Sequence, residues 1–321
     1  MTGSLQVAID NLTSVAVLVF VFGFIAARIK SDVRIPEPIY QVISIYLLFG
    51  IGLKGGNAIR SATLDEFIAP AIGTILIGIA IPLVAFLSLR LIKRLSEIDR
   101  GAIAAHYGST SLVTFSAGLL FLENNLIEVE GFATALLTLL EIPGLIVGIY
   151  LGTRSTSATV KWRETITEVI LGKTVLLLAG GLLIGAITSD AGYQAVSPFF
   201  VDLLNGILVL FLLHLGFLAG SNWLEIKRVG SPLILFAIIF PLFAGFIGVL
   251  VGTATGLSLG GATILGVLAA SASYIAAPAA ISVAMPGANG SLALMSSIGI
   301  TFPFNLVLGI PIYLEMARAL I

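Results

Sequence analysis

The chain has 321 residues, of which 58% are hydrophobic and only 10% charged, against about 25% charged in a soluble domain. It has no cysteine, which excludes disulfides, thiol chemistry and a Cys-based metal site. The net charge of −1, with no basic patch interleaved with aromatics, gives a nucleic-acid surface no support.

This composition belongs to a polytopic membrane protein. A span needs about 20 mostly apolar residues. Ten stretches qualify: 12–29, 38–57, 67–90, 101–121, 131–152, 168–188, 199–221, 231–254, 260–286 and 291–317. The N-terminal MTGSLQVAIDNLT is not a basic region followed by a cleavable apolar run, so no signal peptide is expected and the first span serves as the targeting signal.

Thirteen of the 16 basic residues fall on alternate loops. Arg28, Lys30 and Arg34 follow the first span. Arg90, Lys93, Arg94 and Arg100 follow the third, Arg154, Lys161, Arg163 and Lys173 the fifth, and Lys227 and Arg228 the seventh. The remaining loops are acidic or neutral, with Asp65, Glu66, Glu123, Glu128, Glu130, Asp190 and Asp202. The positive-inside rule then places both termini outside a plasma (inner) membrane.

Five spans per half give two halves of opposite orientation. LLFGIGLKGG (47–56) aligns with LLHLGFLAG (212–220) when Gly52 meets Gly216 and Gly56 meets Gly220. YGSTSLVTFSA (107–117) aligns with ASASYIAAPAA (270–280), and Glu141-Ile-Pro143 with Thr301-Phe-Pro303. The matches keep their order at offsets of 160–164. The expected fold is therefore all-α, with ten transmembrane helices as an inverted 5+5 repeat. Residues 1–152 form the first repeat, 153–167 a short cytoplasmic linker and 168–321 the second repeat. The Gly-rich ends of spans 2 and 7 are expected to be close-packing or hinge points.

Spans 4 and 9 both carry a polar interruption near mid-membrane, Gly108-Ser109-Thr110-Ser111 and Ala270-Ser271-Ala272-Ser273-Tyr274. Pro278, four residues after Tyr274, removes a helical donor. Broken backbone survives in hydrocarbon only when buried in protein or lining a cavity. Paired broken helices at a repeat interface form substrate sites in inverted-repeat transporters. Each half-helix starting at a break points N–H groups and a partial positive charge at the centre, which suits an anion. Released carbonyls and hydroxyls suit a small hard cation such as sodium. The plain alternative is a pair of small-residue packing helices whose hydroxyls bond back to their own carbonyls.

Ionisable groups inside the membrane are costly and mark function. Glu141, next to Pro143, is read as a sodium ligand, a proton relay or a partner of another buried group. His106 sits just before the first break as a capping group or modulator of the site. His214 and Lys54 read as structural, Lys54 snorkelling to the surface. Thr301 and Asn305 stand four apart around Pro303, on one helix face that lines the same core. No protease motif or Ser/His/Asp order is present, so the chain is not read as an enzyme, and no cofactor is expected beyond sodium as coupling ion.

The segments GIGLKGGNAIR (50–60), GSTSLVTF (108–115), LLEIPGLIVGIYL (139–151), ASASYIAAPAAI (270–281) and ITFPFNLVLGIPIYLEMA (300–317) resemble the sodium-dependent bicarbonate transporter family of cyanobacteria and other bacteria. The resemblance spans nearly the whole chain. It implies a homotrimer in the lipid bilayer that imports bicarbonate with sodium, with the anion at Gly108–Ser111 and Ala270–Tyr274. Ser111, Ser273, Glu141, Thr301 and Asn305 are the expected sodium ligands, with His106, Pro143, Pro278 and Pro303 as modulators. Two features depart from the family. Its cyanobacterial members use a long central loop to dock a small nucleotide-binding regulator of the PII type, and here only 153–167 stands in that place. The family also has aspartate where this chain has Glu141. Other readings are a sodium-coupled carrier of another small anion, a cation/proton antiporter, or a non-transporting sensor or scaffold.

Overall fold

In the computed structural model, described for residues 2–60, 62–154 and 161–321, the chain is helical with no strand among the described residues. The helices are α1 (Thr2–Leu12), α2 (Val15–Arg28), α3 (Glu37–Ile59), α4 (Leu64–Leu89), α5 (Glu97–Gly108), α6 (Leu112–Asn124), α7 (Ala133–Thr153), α8 (Trp162–Leu171), α9 (Lys173–Ile187), α10 (Asp190–Phe200), α11 (Leu204–Ser221), α12 (Trp223–Val229), α13 (Ser231–Ala254), α14 (Leu259–Ala270), α15 (Ala276–Ala284), α16 (Gly290–Ser296), α17 (Phe302–Phe304) and α18 (Ile310–Leu320).

Among the described residues, six helical units are long and apolar enough to cross a membrane, or seven if the bent pair α8–α9 is one span. The ten expected stretches differ from this count for local reasons. Stretches 101–121 and 260–286 are each divided into two short helices. Stretch 12–29 yields only the 14-residue α2, because Ser14 caps a new helix by accepting from Val17 N. At about 1.5 Å per residue it reaches roughly 21 Å.

Three boundaries are corrected. Stretch 168–188 is not one helix: its backbone turns extended at Gly172 (ψ 148°), and α8 meets α9 at 46°. The linker expected at 153–167 already holds the end of α7 and the start of α8, while residues 155–160 lie outside the described residues. Stretch 291–317 is not a regular α-helix, because Ser297–Thr301 and Asn305–Gly309 are π-helical. Proline explains the second π segment. Pro311 has no N–H for the carbonyls of Leu306 and Val307, five and four residues back. Asn11 Nδ2 from α1 donates to both, at 3.1 and 2.8 Å.

The helices form two groups. In one, α2 packs on α11 and α3 on α9, with α3 and α11 also touching. Glycine permits these approaches. A Cβ at Gly216 or Gly220 would lie 2.0 or 2.5 Å from the carbonyls of Phe20 or Phe24, and one at Gly52 or Gly56 would lie 2.7 or 2.1 Å from those of Leu178 or Leu182. The Gly-rich ends of α3 and α11 are close-packing points. The second group gathers α4, α5, α7, α13, α14 and the α16–α18 region around the buried polar centre.

Candidate functional site

The centre is built from two interruptions. α5 stops at Gly108 and α6 restarts at Leu112; α14 stops at Ala270 and α15 restarts at Ala276. Ser109, Ser111 and Ser271 have extended backbone, with ψ of 169°, 112° and 165°. Serine and threonine favour such breaks because their hydroxyls bond backbone groups outside the helical ladder. The Ser111 hydroxyl accepts from Thr114 N and the Ser273 hydroxyl from Ala277 N, both at 3.2 Å. Ser111 is the N-cap of α6, and Ser273, two residues before the N-cap of α15 at Ile275, satisfies one of that helix's first N–H groups. Pro278 is the third residue of α15, where a missing N–H breaks no helical bond. It starts the new helix, and the interruption lies ahead of it.

The two breaks touch. Ser111 N donates to Ser271 Oγ at 2.9 Å, and Ser273 N donates to the His106 carbonyl at 2.8 Å. The Ser271 hydroxyl donates onward to the Leu268 carbonyl at 2.8 Å. Ser109, Thr110, Ser111, Ser271, Ala272 and Ser273 are all buried. Glu141 of α7 closes one side. Its Oε2 accepts from the Thr110 hydroxyl at 2.6 Å, while Oε1 is buried without a hydrogen-bond partner. The Ser109 hydroxyl faces the same carboxylate and is itself unbonded. Glycine lets α7 come this close: a Cβ on Gly144 would lie 1.8 Å from the Gly108 carbonyl oxygen.

A family-level comparison matches residues 15–318 to the Na+-dependent bicarbonate transporter superfamily. The chain belongs to that superfamily. No curated protein matches it. Membership, together with the apolar helices, makes this a multi-pass membrane protein.

Within this superfamily member, the other residues singled out from the sequence take defined places. Thr301 donates to the Ala237 carbonyl at 2.7 Å and shares a 2.7 Å hydrogen bond with the Tyr107 hydroxyl. Asn305 Nδ2 donates to the Ala270 carbonyl at 2.8 Å, at the point where α14 ends, and its Oδ1 accepts from the Tyr313 hydroxyl at 2.7 Å. Both side chains therefore already have partners on each polar atom. His106 Nδ1 donates to the Ala102 carbonyl at 2.9 Å, and its buried Nε2 has no partner. Tyr274 rests edge-on against Phe302 at 5.7 Å, its hydroxyl buried and unbonded on the Ser111 side. Pro143 and Pro303 are half-buried within their helices. His214 lies against Tyr40 in the other helix group, with ring centroids 4.6 Å apart and the planes tilted by 34°. Lys54 is exposed and lines a crevice of about 490 Å3 together with Glu123, Glu128 and Glu130.

Sequence reasoning did not single out Tyr107, Tyr313 or Asn11. Tyr107 immediately precedes the first break, so an aromatic hydroxyl beside a polar interruption was the available signal. Asn11 and Tyr313 carried none, since both act on positions far along the chain or across a π-helical turn.

A cavity of about 260 Å3, with both Glu168 and Lys173 in its wall, lies beside the second break, between α7, the α8–α9 bend and α15. Leu145, Lys173, Ile275 and Ala276 line it.

Proposed function

We propose that this protein imports bicarbonate together with sodium, binding both where the two broken helices meet. The observation that carries this reading is the direct contact of the breaks, Ser111 N to Ser271 Oγ and Ser273 N to the His106 carbonyl, beside a buried carboxylate oxygen without a partner. A buried uncompensated carboxylate oxygen is costly. A sodium ion at Glu141 Oε1 and the Ser109 hydroxyl relieves that cost. Bicarbonate then lies against the N-terminal turns of α6 and α15, whose first N–H groups are only partly taken by the capping serines. The adjacent opposite charges make binding of one ion favour the other, which couples the two fluxes.

The anion-contacting set is Gly108, Ser109, Thr110, Ser111 and Ala270–Tyr274. Of the residues expected around sodium, Glu141 is the one with an oxygen left without a partner. Ser111, Ser273, Thr301 and Asn305 hold the frame through the bonds they already make. The inverted ten-span repeat draws support from Gly52 and Gly216, repeat mates that do the same packing work in α3 and α11. Alternating access would move the α4–α5–α7–α13–α14 group against the α2–α11 and α3–α9 pairs. The plasma membrane, outward termini and a homotrimer complete the reading. A PII-type regulator finds little room in a central segment that α7 and α8 shorten further.

The test is sodium-driven uptake of labelled bicarbonate into proteoliposomes, competed with acetate, nitrate and sulfate. Bicarbonate should be preferred. Equal competition by acetate would assign the site to another small anion, and proton-driven sodium flux without anion uptake would assign Glu141 to exchange.

A further inference from the structure

The flank of the α4–α13 pair carries a groove that the transport site does not use. It lies between the last turns of α4 and the first turns of α13 and measures about 480 Å3, within the usual range of ligand sites. Val84, Leu235, Phe236, Ile239, Phe240 and Phe243 line it. Ser88, its one hydroxyl, donates back to the Val84 carbonyl at 2.8 Å and offers the groove nothing polar. Leu235 and Ile239 are more than half exposed along it (58% and 54%).

The loop segments at this end of the groove are basic. Arg90, Lys93 and Arg94 follow α4, and Arg228 ends the segment before α13. Arg94 donates to the Val229 carbonyl and so ties the two loops together over the groove's end. Arg90 lies over the Phe86 ring at 5.4 Å. The acidic residue at this end, Glu225, is paired with Arg228 at 2.5 Å. The floor of the groove is the back of the transport site: Phe236 and Phe240 meet the Tyr107 ring edge-on at 5.1 and 5.8 Å.

We propose that this groove holds an acyl chain of an anionic phospholipid, whose headgroup rests on Arg90, Lys93 and Arg94. An apolar trough beneath a cluster of cations matches the two ends of such a lipid. A two-fold contact with a second copy suits it less, because it would set these basic loops against themselves; a head-to-tail contact is separated from a lipid by the variants below. The bound chain packs on Phe236 and Phe240, one aromatic layer behind Tyr107 and the first break.

Native mass spectrometry of the purified protein with added phosphatidylglycerol or phosphatidylcholine tests this without any transport measurement. Phosphatidylglycerol should bind and phosphatidylcholine should bind much less. The pair Arg90→Gln and Lys93→Gln, both exposed, should weaken phosphatidylglycerol binding roughly fivefold per charge removed. Ile239→Trp should fill the groove and remove the adduct. Equal binding of the two lipids, or phosphatidylglycerol binding unchanged in the charge variant, overturns the proposal. Loss of an oligomer in Ile239→Trp with lipid retained assigns the groove to a second copy. If Ile239→Trp does not fold, the charge variant decides alone.

Discussion

Thr110→Val is a sharp probe of the sodium site, because it changes one hydroxyl to a methyl at nearly constant shape. The lost bond is the 2.6 Å donation from Thr110 Oγ1 to Glu141 Oε2. Hydrogen bonds to charged groups are worth about 1.5–3 kcal/mol, whereas polar contacts between membrane helices average about 0.6 kcal/mol. The higher figure applies when the unfolded or rearranged state offers no substitute partner. Here Oε1 already lacks one, so the variant removes the side-chain donor now bonded to the carboxylate and leaves it to the Ser109 hydroxyl and the Thr110 backbone beside it. If that carboxylate holds sodium, the ion coordinates a less well-oriented group, and the sodium concentration for half-maximal uptake should rise by about tenfold, following the lower end of that range. The assay is labelled bicarbonate uptake into proteoliposomes across a sodium series, at fixed saturating bicarbonate. An unchanged sodium dependence, in a variant that reconstitutes normally, would refute the assignment of Glu141 to sodium.

Other consequences follow from named contacts. Gly144→Ala places a Cβ 1.8 Å from the Gly108 carbonyl oxygen, and backbone cannot yield there cheaply; transport should be lost with a lowered melting temperature, whereas Gly180→Ala, with nothing within 4 Å of its Cβ, should behave as wild type. Asn305→Leu strands the Ala270 carbonyl and the Tyr313 hydroxyl. At about 1–3 kcal/mol for each buried orphan, it should lower thermal stability in detergent by several degrees; a normal melting temperature would show that these groups find other partners. Asn11→Ala removes both donors to the Leu306 and Val307 carbonyls, and amide exchange in the last π segment should rise while exchange in α14 stays slow.

Much of the fold was legible because its signals were local. Apolar length and charge placement marked the helices, and the serine clusters marked both breaks to within a residue or two. The close-packing glycines at 52, 56, 216 and 220 could be read because their spacing repeated between the halves. What stayed hidden depended on geometry that spacing does not encode. Gly172 looked like any apolar-span glycine, yet its extended backbone bends α8 against α9. The Thr301–Asn305 pair read as one helical face. The π turns that flank Pro303 and Pro311 instead send Thr301 to Ala237 and Asn305 to Ala270. The partners Tyr107 and Tyr313 followed from those turns. The serines were visible as polar residues, but only the structure separates Ser111 and Ser273, spent as caps, from Ser109, whose hydroxyl is unbonded beside Glu141.

The most direct test of the central claim is uptake of labelled bicarbonate by the purified protein in sealed proteoliposomes under an inward sodium gradient. The meeting of the two breaks predicts concentrative uptake that potassium cannot support. It also predicts that Ser109→Ala combined with Ser271→Ala abolishes that uptake while the protein remains folded. Uptake that proceeds equally without sodium, or survives the double substitution, would contradict it.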